Sequence, residues 1–366
     1  MNVLMIGVDK TSVGGMLTVV ENYLNDKEFC NQTNLNYIAT VIRSNKIKKI
    51  TTFIRKIPRI IYIIRKKKID IVHVHMAERG SVFREGFVIL LAKILGCKTL
   101  IHMHGATIEE WYKKQNFLIK KLTERIFCLA DRMVVLGENW KPFIISVMGE
   151  KNKNKVVVLH NAVSVPDCNK YNFDSKNILF YGMLIQRKGI DDLLQAFASI
   201  VNEIPEDIML TLYGDDHDSE EKIQDKINRY KLQERVHYMG WLTKDNRADV
   251  FRNTIVNVLP SYNEGLPMTI LESMGYGIPN ISTSIAAIPE AIVDGINGFL
   301  IKPGDIDKLA AKIKEIVCYK DIRGKMSYEA YEMAKNEFSF EIHTKKLIEI
   351  YKTMLNKSSG VMSRDK

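Results

Sequence analysis

Two successive series of short apolar segments, alternating with helix-length segments, constrain this chain more than any other feature. The first series reads as strands at 1–8, Asn36–Val41, Ile69–His75, Thr99–His104 and Arg132–Leu136, with helix-like stretches such as Met16–Leu24, Phe83–Leu95 and Asn116–Leu129 between them. The second starts afresh with strands at Ile178–Tyr181, Met209–Tyr213, Val236–Tyr238, Ile255–Leu259 and Pro279–Ser282. Helices at Gly189–Glu203, Ser219–Tyr230, Met268–Tyr276 and Ile306–Val317 separate them. Strand, helix, strand in this order implies parallel β-α-β units with right-handed crossovers, so each series predicts a doubly wound α/β domain. The polar stretch 162–177, with Pro166 inside it, is the natural linker. Domains are expected at 1–168 and 169–338, followed within 339–366 by an amphipathic helix packing back on the first domain and by a disordered tail. A length of 366 residues accommodates two such domains.

Composition narrows the class. With 46% hydrophobic and 26% charged residues the chain is neither collagen-like nor disordered. No apolar stretch approaches the ~20 residues of a membrane span, and the start shows no signal-peptide pattern, so a cytoplasmic protein is expected. The five cysteines, Cys30, Cys97, Cys128, Cys168 and Cys318, are scattered without a C-x-x-C pair, which suits a reducing compartment and offers no structural zinc site.

The net charge of +10 is uneven: residues 1–172 carry 28 basic against 14 acidic side chains, and the remainder is slightly acidic. Arg43 to Lys68 holds eleven basic residues and no acidic one, interleaved at helical spacing with Ile50, Phe53, Ile54, Ile57, Ile60, Ile61 and Ile64; Pro58 threatens to kink that helix. A solvated basic face over a core-facing stripe explains the segment, and so does attachment to an anionic bilayer. Nucleic acid is not expected, since no helix-turn-helix, zinc-finger or RNP pattern accompanies the charge.

In doubly wound sheets ligands bind beyond the carboxyl ends of the strands. The turn Gly14-Gly15 after the first strand allows close backbone approach to a phosphate, and equally serves as a plain tight turn. After the strand ending at Tyr181, Gly182 begins a loop that reaches Arg187-Lys188-Gly189 at a helix start. The helix dipole disfavours two adjacent cations there, so an anionic ligand explains them better than helix stability does, with a plain surface pair as the alternative. The most informative stretch runs from Pro260 to Pro279. Glu264 falls in a loop after a strand, and Glu272 two turns into the next helix. The amides of Leu266, Met268 and Thr269 at that helix start can hold a diphosphate or sugar hydroxyls. Spacing alone fits equally one capping carboxylate and one solvated glutamate.

The pair Glu264 and Glu272, set in Asn-Glu-Gly-Leu-Pro and followed by Ser-Met-Gly-Tyr-Gly-Ile-Pro, closely resembles the E-x7-E motif of glycosyltransferase family 4, retaining enzymes of the GT-B fold. The resemblance extends to Gly14-Gly15, His73-Val74-His75, His102-Met103-His104-Gly105, the Gly182 to Gly189 loop and Val293 to Leu300. It implies two Rossmann-like domains facing a central cleft, with the nucleotide sugar held mainly by the second and the acceptor by the first. It assigns Arg187 and Lys188 to the diphosphate, Glu272 to the ribose, Glu264 to the donor sugar, and the Gly15 backbone to the phosphate. His104, placed with Gly105 at a switch-point position, resembles the family's active-site histidine. His102 and His104 alone, without carboxylate or thiol partners, are insufficient evidence for a metal, and none is expected. Transfer is expected to be metal-independent, with a UDP-sugar as the favoured donor and no other cofactor.

Asp215-Asp216-His217-Asp218 carries acidic spacings known from metal-dependent transferases, but it follows a strand of the second domain and is expected to be loop or capping polarity. It departs from the family's glycine-rich turn. The segment His75 to Arg84 resembles relatives that extend polyprenyl-diphosphate-linked sugars in capsule and exopolysaccharide assembly. A lipid-linked or glycan acceptor is thus expected near Gly14, Arg79 and Arg84, although a cap with surface arginines explains the segment as well. Trp111-Tyr112 beside Lys113, Lys114, Lys120 and Lys121 has interfacial composition, which with the basic first half predicts a peripheral enzyme on the inner face of the cell membrane. The alternatives are another GT-B enzyme, an epimerase or phosphorylase, and a non-catalytic nucleotide- or carbohydrate-binding subunit.

Overall fold

The computed structural model describes residues 1–9, 14–42, 44–215 and 221–356. It divides into two compact units, one of residues 1–161 with 341–366 and one of residues 162–340. The division falls at Asn161/Ala162, so 162–168 belong to the second unit.

The first unit holds six strands, β1 (Val3–Val8), β2 (Asn36–Val41), β3 (Ile71–Met76), β4 (Lys98–Met103), β5 (Arg132–Val135) and β6 (Val156–Val158), in the spatial order β2-β1-β3-β4-β5-β6. The second holds β7 (Asn177–Tyr181), β8 (Met209–Tyr213), β9 (Val236–Tyr238), β10 (Thr254–Leu259), β11 (Asn280–Thr283) and β12 (Gly298–Ile301), ordered β12-β11-β10-β7-β8-β9. Every pairing is parallel. Helices cover both faces, which is why β3 and β10 are buried at all six positions and read as continuous runs rather than alternating ones. One face of the first sheet packs Leu4, Ile6, Val72, Val74 and Ile101 into a large apolar core.

The order of strands locates the switch points. In the first sheet the chain turns back between β1 and β3, and in the second between β7 and β10. The loops after these strands flank the crevice where an open α/β sheet receives ligands. β6 and β12 are strands that the alternation pattern does not show, and Lys320–Glu337 is a further helix of the second unit. The helix Phe340–Asn356 joins the first unit through His343 and Tyr351.

The basic segment forms one helix, Lys46–Lys66, that continues through Pro58. Ile60 and Ile64 are buried, whereas Ile50 and Ile54 of the expected core stripe stand exposed at 59% and 57%. The apolar face is wider than the sheet beneath it can cover.

Candidate active site

In the second unit, the loops after β7 and β10 meet at the switch point. After β7 the chain makes a short 3-10 turn, Gln186–Lys188, closed by Gly189 before the helix Ile190–Ile200 begins. Gly189 has φ of 74°, and a Cβ there would lie 2.0 Å from the carbonyl oxygen of Pro260. Only glycine permits so close an approach. The Tyr262 amide donates to the Arg187 carbonyl at 2.8 Å, which straps the two loops together.

That strap brings Lys188 Nζ onto Glu264 Oε1 as an ion pair, and the Ser261 hydroxyl donates to the same oxygen at 2.8 Å. Glu264 is 8% exposed. Arg187 stays exposed, with its Nη1 donating to the Asn263 carbonyl at 3.2 Å. Two cations and one carboxylate therefore converge from sequence positions 76 apart. Gly182 opens the β7 loop, its amide donating to the Tyr213 carbonyl.

Leu266 and Pro267 lead into the helix Met268–Gly275, where the amides of Met268 and Thr269 have no intrahelical acceptor by geometry, while those of Ile270 and Leu271 donate to the Pro267 carbonyl. The Thr269 hydroxyl is buried without a hydrogen-bond partner. Glu272, two turns on, is ion-paired to Arg247 of the helix Lys244–Arg252, Nη1 to Oε1 at 2.7 Å, with side-chain exposures of 10% and 23%. Burial raises the Glu272 carboxyl above the ordinary carboxylate range. The adjacent guanidinium opposes that by favouring the ionised form. Beneath the helix, Asn257, Ser273 and Asn280 form a buried hydrogen-bonded set that ties it to β10 and β11.

In the first unit, Gly14 (φ 108°) caps the helix that opens at Gly15, at the β1 side of the switch point. The residue before them, Val13, lies outside the described residues, as do Asp216, His217 and Asp218. Arg79, exposed and with φ of 62°, precedes the helix Gly80–Ile94 at the β3 side. Arg84 is not a bare cation: its Nε is 2.8 Å from Glu85, whose carboxyl is 1% exposed and also bonds Thr40 and Ser81. Adjacent residues on a helix do not ordinarily face one another, so this pairing escapes sequence reading.

His104 follows β4, one strand away from the switch point rather than at it, because β3 intervenes between β1 and β4. Its amide donates to the Met76 carbonyl at 2.7 Å, and its Nε2 lies 2.8 Å from Nδ1 of His75. Parallel register sets His75 directly beside His102, which builds a row of stacked rings from His73, His75 and His102 onward to His104. Tyr351 bonds Nδ1 of His73 at 2.6 Å, and His343 bonds both Tyr23 and the His160 carbonyl. Burial lowers the proton affinity of His73, His75 and His102 well below the ordinary range. Burial, reinforced by His343, holds His104 at about 3. All are neutral at pH 7.

Nitrogens of His73, His75 and His102 lie within 4.8 Å of one another, the one such cluster among the described residues. Their rings are stacked at 20° to 28°, so in-plane lone pairs run side by side instead of converging. No carboxylate or thiol is part of the cluster.

The comparisons with known proteins agree with this architecture. Residues 24–165 match the model of Glycosyltransferase Family 4, and residues 168–333 that of Glycosyl transferases group 1. The chain is a glycosyltransferase of the GT-B fold and belongs to family 4. Among relatives, it is 25% identical to the capsular polysaccharide biosynthesis glycosyltransferase CapM of Staphylococcus aureus, over 69% of each chain. It is also 25% identical to the UDP-Gal:alpha-D-GlcNAc-diphosphoundecaprenol alpha-1,3-galactosyltransferase of Escherichia coli, over 80% of this chain and 78% of that one. The fold is that of sucrose-phosphate synthase from Thermosynechococcus elongatus, with a TM-score of 0.81 at 16% identity over 97% and 99% of the chains. Anabaena HepE in complex with UDP-glucose gives 0.73 at 15% over 96% and 100%.

Proposed function

We propose that this enzyme moves a sugar from a nucleotide-sugar donor, a UDP-sugar by preference, to a polyprenyl-diphosphate-linked or glycan acceptor in surface polysaccharide assembly, with retention of anomeric configuration and without a metal. The observation that carries this reading is the convergence of Arg187, Lys188 and Glu264 at the β7/β10 switch point, beside the helix that bears Glu272. Arg187, Lys188 and the Met268 and Thr269 amides of the Met268–Gly275 helix would stabilise the departing diphosphate, a role worth most in a water-excluded site. Glu264, anchored by Lys188 and Ser261, would accept from donor-sugar hydroxyls. His104 uses Nε2 on His75 and keeps Nδ1 for substrate. Being neutral, it serves as a hydrogen-bonding group and not as an acid. HepE is crystallised with UDP-glucose, and the Escherichia coli relative's name specifies a UDP-sugar and a diphosphoundecaprenol-linked acceptor. Turnover of a panel of UDP-, GDP- and ADP-sugars, with NMR of the first-formed product, tests the reading. Activity on a UDP-sugar giving the retained anomer is expected; no turnover of any nucleotide sugar would overturn it.

We further propose that the first unit seats the enzyme on an anionic membrane surface. No described helix is long and apolar enough to cross a membrane. Its helices instead expose Ile50 and Ile54, Leu90 and Ile94, and Phe117 and Leu118. Phe53 against Phe87 joins the Lys46–Lys66 and Gly80–Ile94 helices edge to face. Trp111 and Tyr112, expected at the interface, instead pack against Phe83 and Phe143. Arg55, Arg59, Arg65 and Lys66 of the Lys46–Lys66 helix are exposed as well, and each basic residue near an anionic surface contributes on the order of 1 kcal/mol. Co-sedimentation with liposomes is expected to require anionic lipid and to weaken with salt. Equal binding to neutral vesicles would contradict this.

A further inference from the structure

We propose that Arg247 is a positioning residue for nucleotide recognition: its guanidinium fixes Glu272 as a charged, oriented carboxylate, leaving Oε2 to accept from the ribose hydroxyls of a nucleoside diphosphate. The inference rests on the reading of Glu272 as the ribose-binding residue and adds the group that makes it competent.

Glu272 sits on the inner part of the Met268–Gly275 helix with 10% of its side chain exposed, and a lone carboxylate at that depth favours its neutral form. A neutral acid donates through its hydroxyl and accepts only weakly, which would spoil it as a partner for a diol. Arg247 Nη1 at 2.7 Å from Oε1 keeps the charge in place. Oε2 accepts no hydrogen bond from any described residue. A carboxylate held through one oxygen and open at the other is suited to receive two hydroxyl donors in charge-assisted hydrogen bonds.

Arg247 is itself placed by its own helix start. The Thr243 amide and hydroxyl both bond Asn246 Oδ1 at 3.0 Å, a capping box that fixes the residue immediately before Arg247. Arg247 and Glu272 belong to one compact unit, so the pair exists before any ligand arrives.

A site built to bond a hydroxyl rejects the analogue lacking it, so ribose discrimination is the readout. Binding of UDP, 2′-deoxyUDP and 3′-deoxyUDP to the full chain is measured by calorimetry at pH 7, with circular dichroism as the folding control. The wild type is expected to prefer UDP over at least one deoxy analogue by about tenfold or more, the scale of a charge-assisted hydrogen bond. Arg247→Ala should weaken UDP by about tenfold while leaving that deoxy analogue within about twofold, so the preference collapses. Arg247→Lys should restore part of it, and Glu272→Gln should abolish it without further loss in the double variant.

Full discrimination retained in Arg247→Ala overturns the proposal. Equal weakening of UDP and its deoxy analogues also overturns it, since Arg247 would then act on the phosphates or on the fold. UDP bound by the wild type with no discrimination removes Glu272 from the ribose and the proposal with it. Absence of binding to UDP, GDP and ADP alike instead overturns the nucleotide-sugar reading itself.

Discussion

Replacing Arg187 and Lys188 together with alanine is expected to lower kcat/KM by about a thousandfold or more, with most of the loss in kcat. Charge develops on the diphosphate as the glycosidic bond breaks, and removing a single preorganised donor to such charge costs about 10²- to 10³-fold. The two cations differ in what else they support. Arg187 is exposed, and its side chain bonds the Asn263 carbonyl at a long 3.2 Å while its strap to Tyr262 runs through the backbone, so Arg187→Ala should leave the melting temperature nearly unchanged. Lys188 neutralises Glu264 at 8% exposure, and removing one partner of a buried pair costs about 3–5 kcal/mol when nothing relaxes. Ser261 still donates to that carboxylate, which softens the loss. Lys188→Ala is therefore expected to destabilise the second unit while Arg187→Ala does not, and both should lower turnover at a temperature where the variants are folded. Unchanged turnover in the double variant would remove these residues from the site.

This division of labour was not readable from the chain alone. The Arg-Lys-Gly run marks a cationic turn, and Glu264 marks a loop carboxylate, but their contact depends on β7 and β10 being sheet neighbours. That adjacency comes from tertiary strand order, which alternation of strands and helices does not specify. The strands themselves are legible because a parallel sheet covered on both faces demands continuous apolar runs. β6 is apolar throughout but only three residues long, too short to stand out as a strand, and the helix Lys320–Glu337 is too polar to show a stripe. Arg247 has no signal at all: it lies 25 residues from Glu272 in a polar helix, and no periodicity links them. The row of histidines is half visible. His73 and His75 share a strand face, as do His102 and His104, yet only the β3–β4 register reveals that the two pairs stack. With that register three histidines stand together, and their stacked ring planes run the lone pairs side by side.

The same row makes the first unit sensitive to acid. His73, His75, His102 and His343 are all buried, and burial lowers the proton affinity of each, to about 4 for His343. In the unfolded chain a histidine titrates near 6.5. Below that pH the unfolded state binds protons that the folded state refuses, so stability is intact above about pH 7 and falls as pH drops from 6.5 toward 4. Each histidine contributes a slope of about 1.4 kcal/mol per pH unit, so these four remove about 5 kcal/mol by pH 5.5, comparable to the whole stability of a typical domain, and His104, held at about 3, adds to the loss. Glu85, whose carboxyl burial raises, works in the opposite sense with one proton against five. Unfolding of the first unit is expected near pH 5. The stack also leaves both nitrogens of His102 buried without a hydrogen-bond partner, so a phenyl ring there removes a titrating site and two unsatisfied atoms at once. His102→Phe should gain about 1.4 kcal/mol on the wild type between pH 7.5 and pH 5.5, and its acid midpoint should move down. Urea unfolding at the two pH values, followed by near-UV circular dichroism, measures the difference. A gain that does not depend on pH would show that His102 relieves packing alone, and a wild-type midpoint below pH 4 would show that the folded stack accepts its protons.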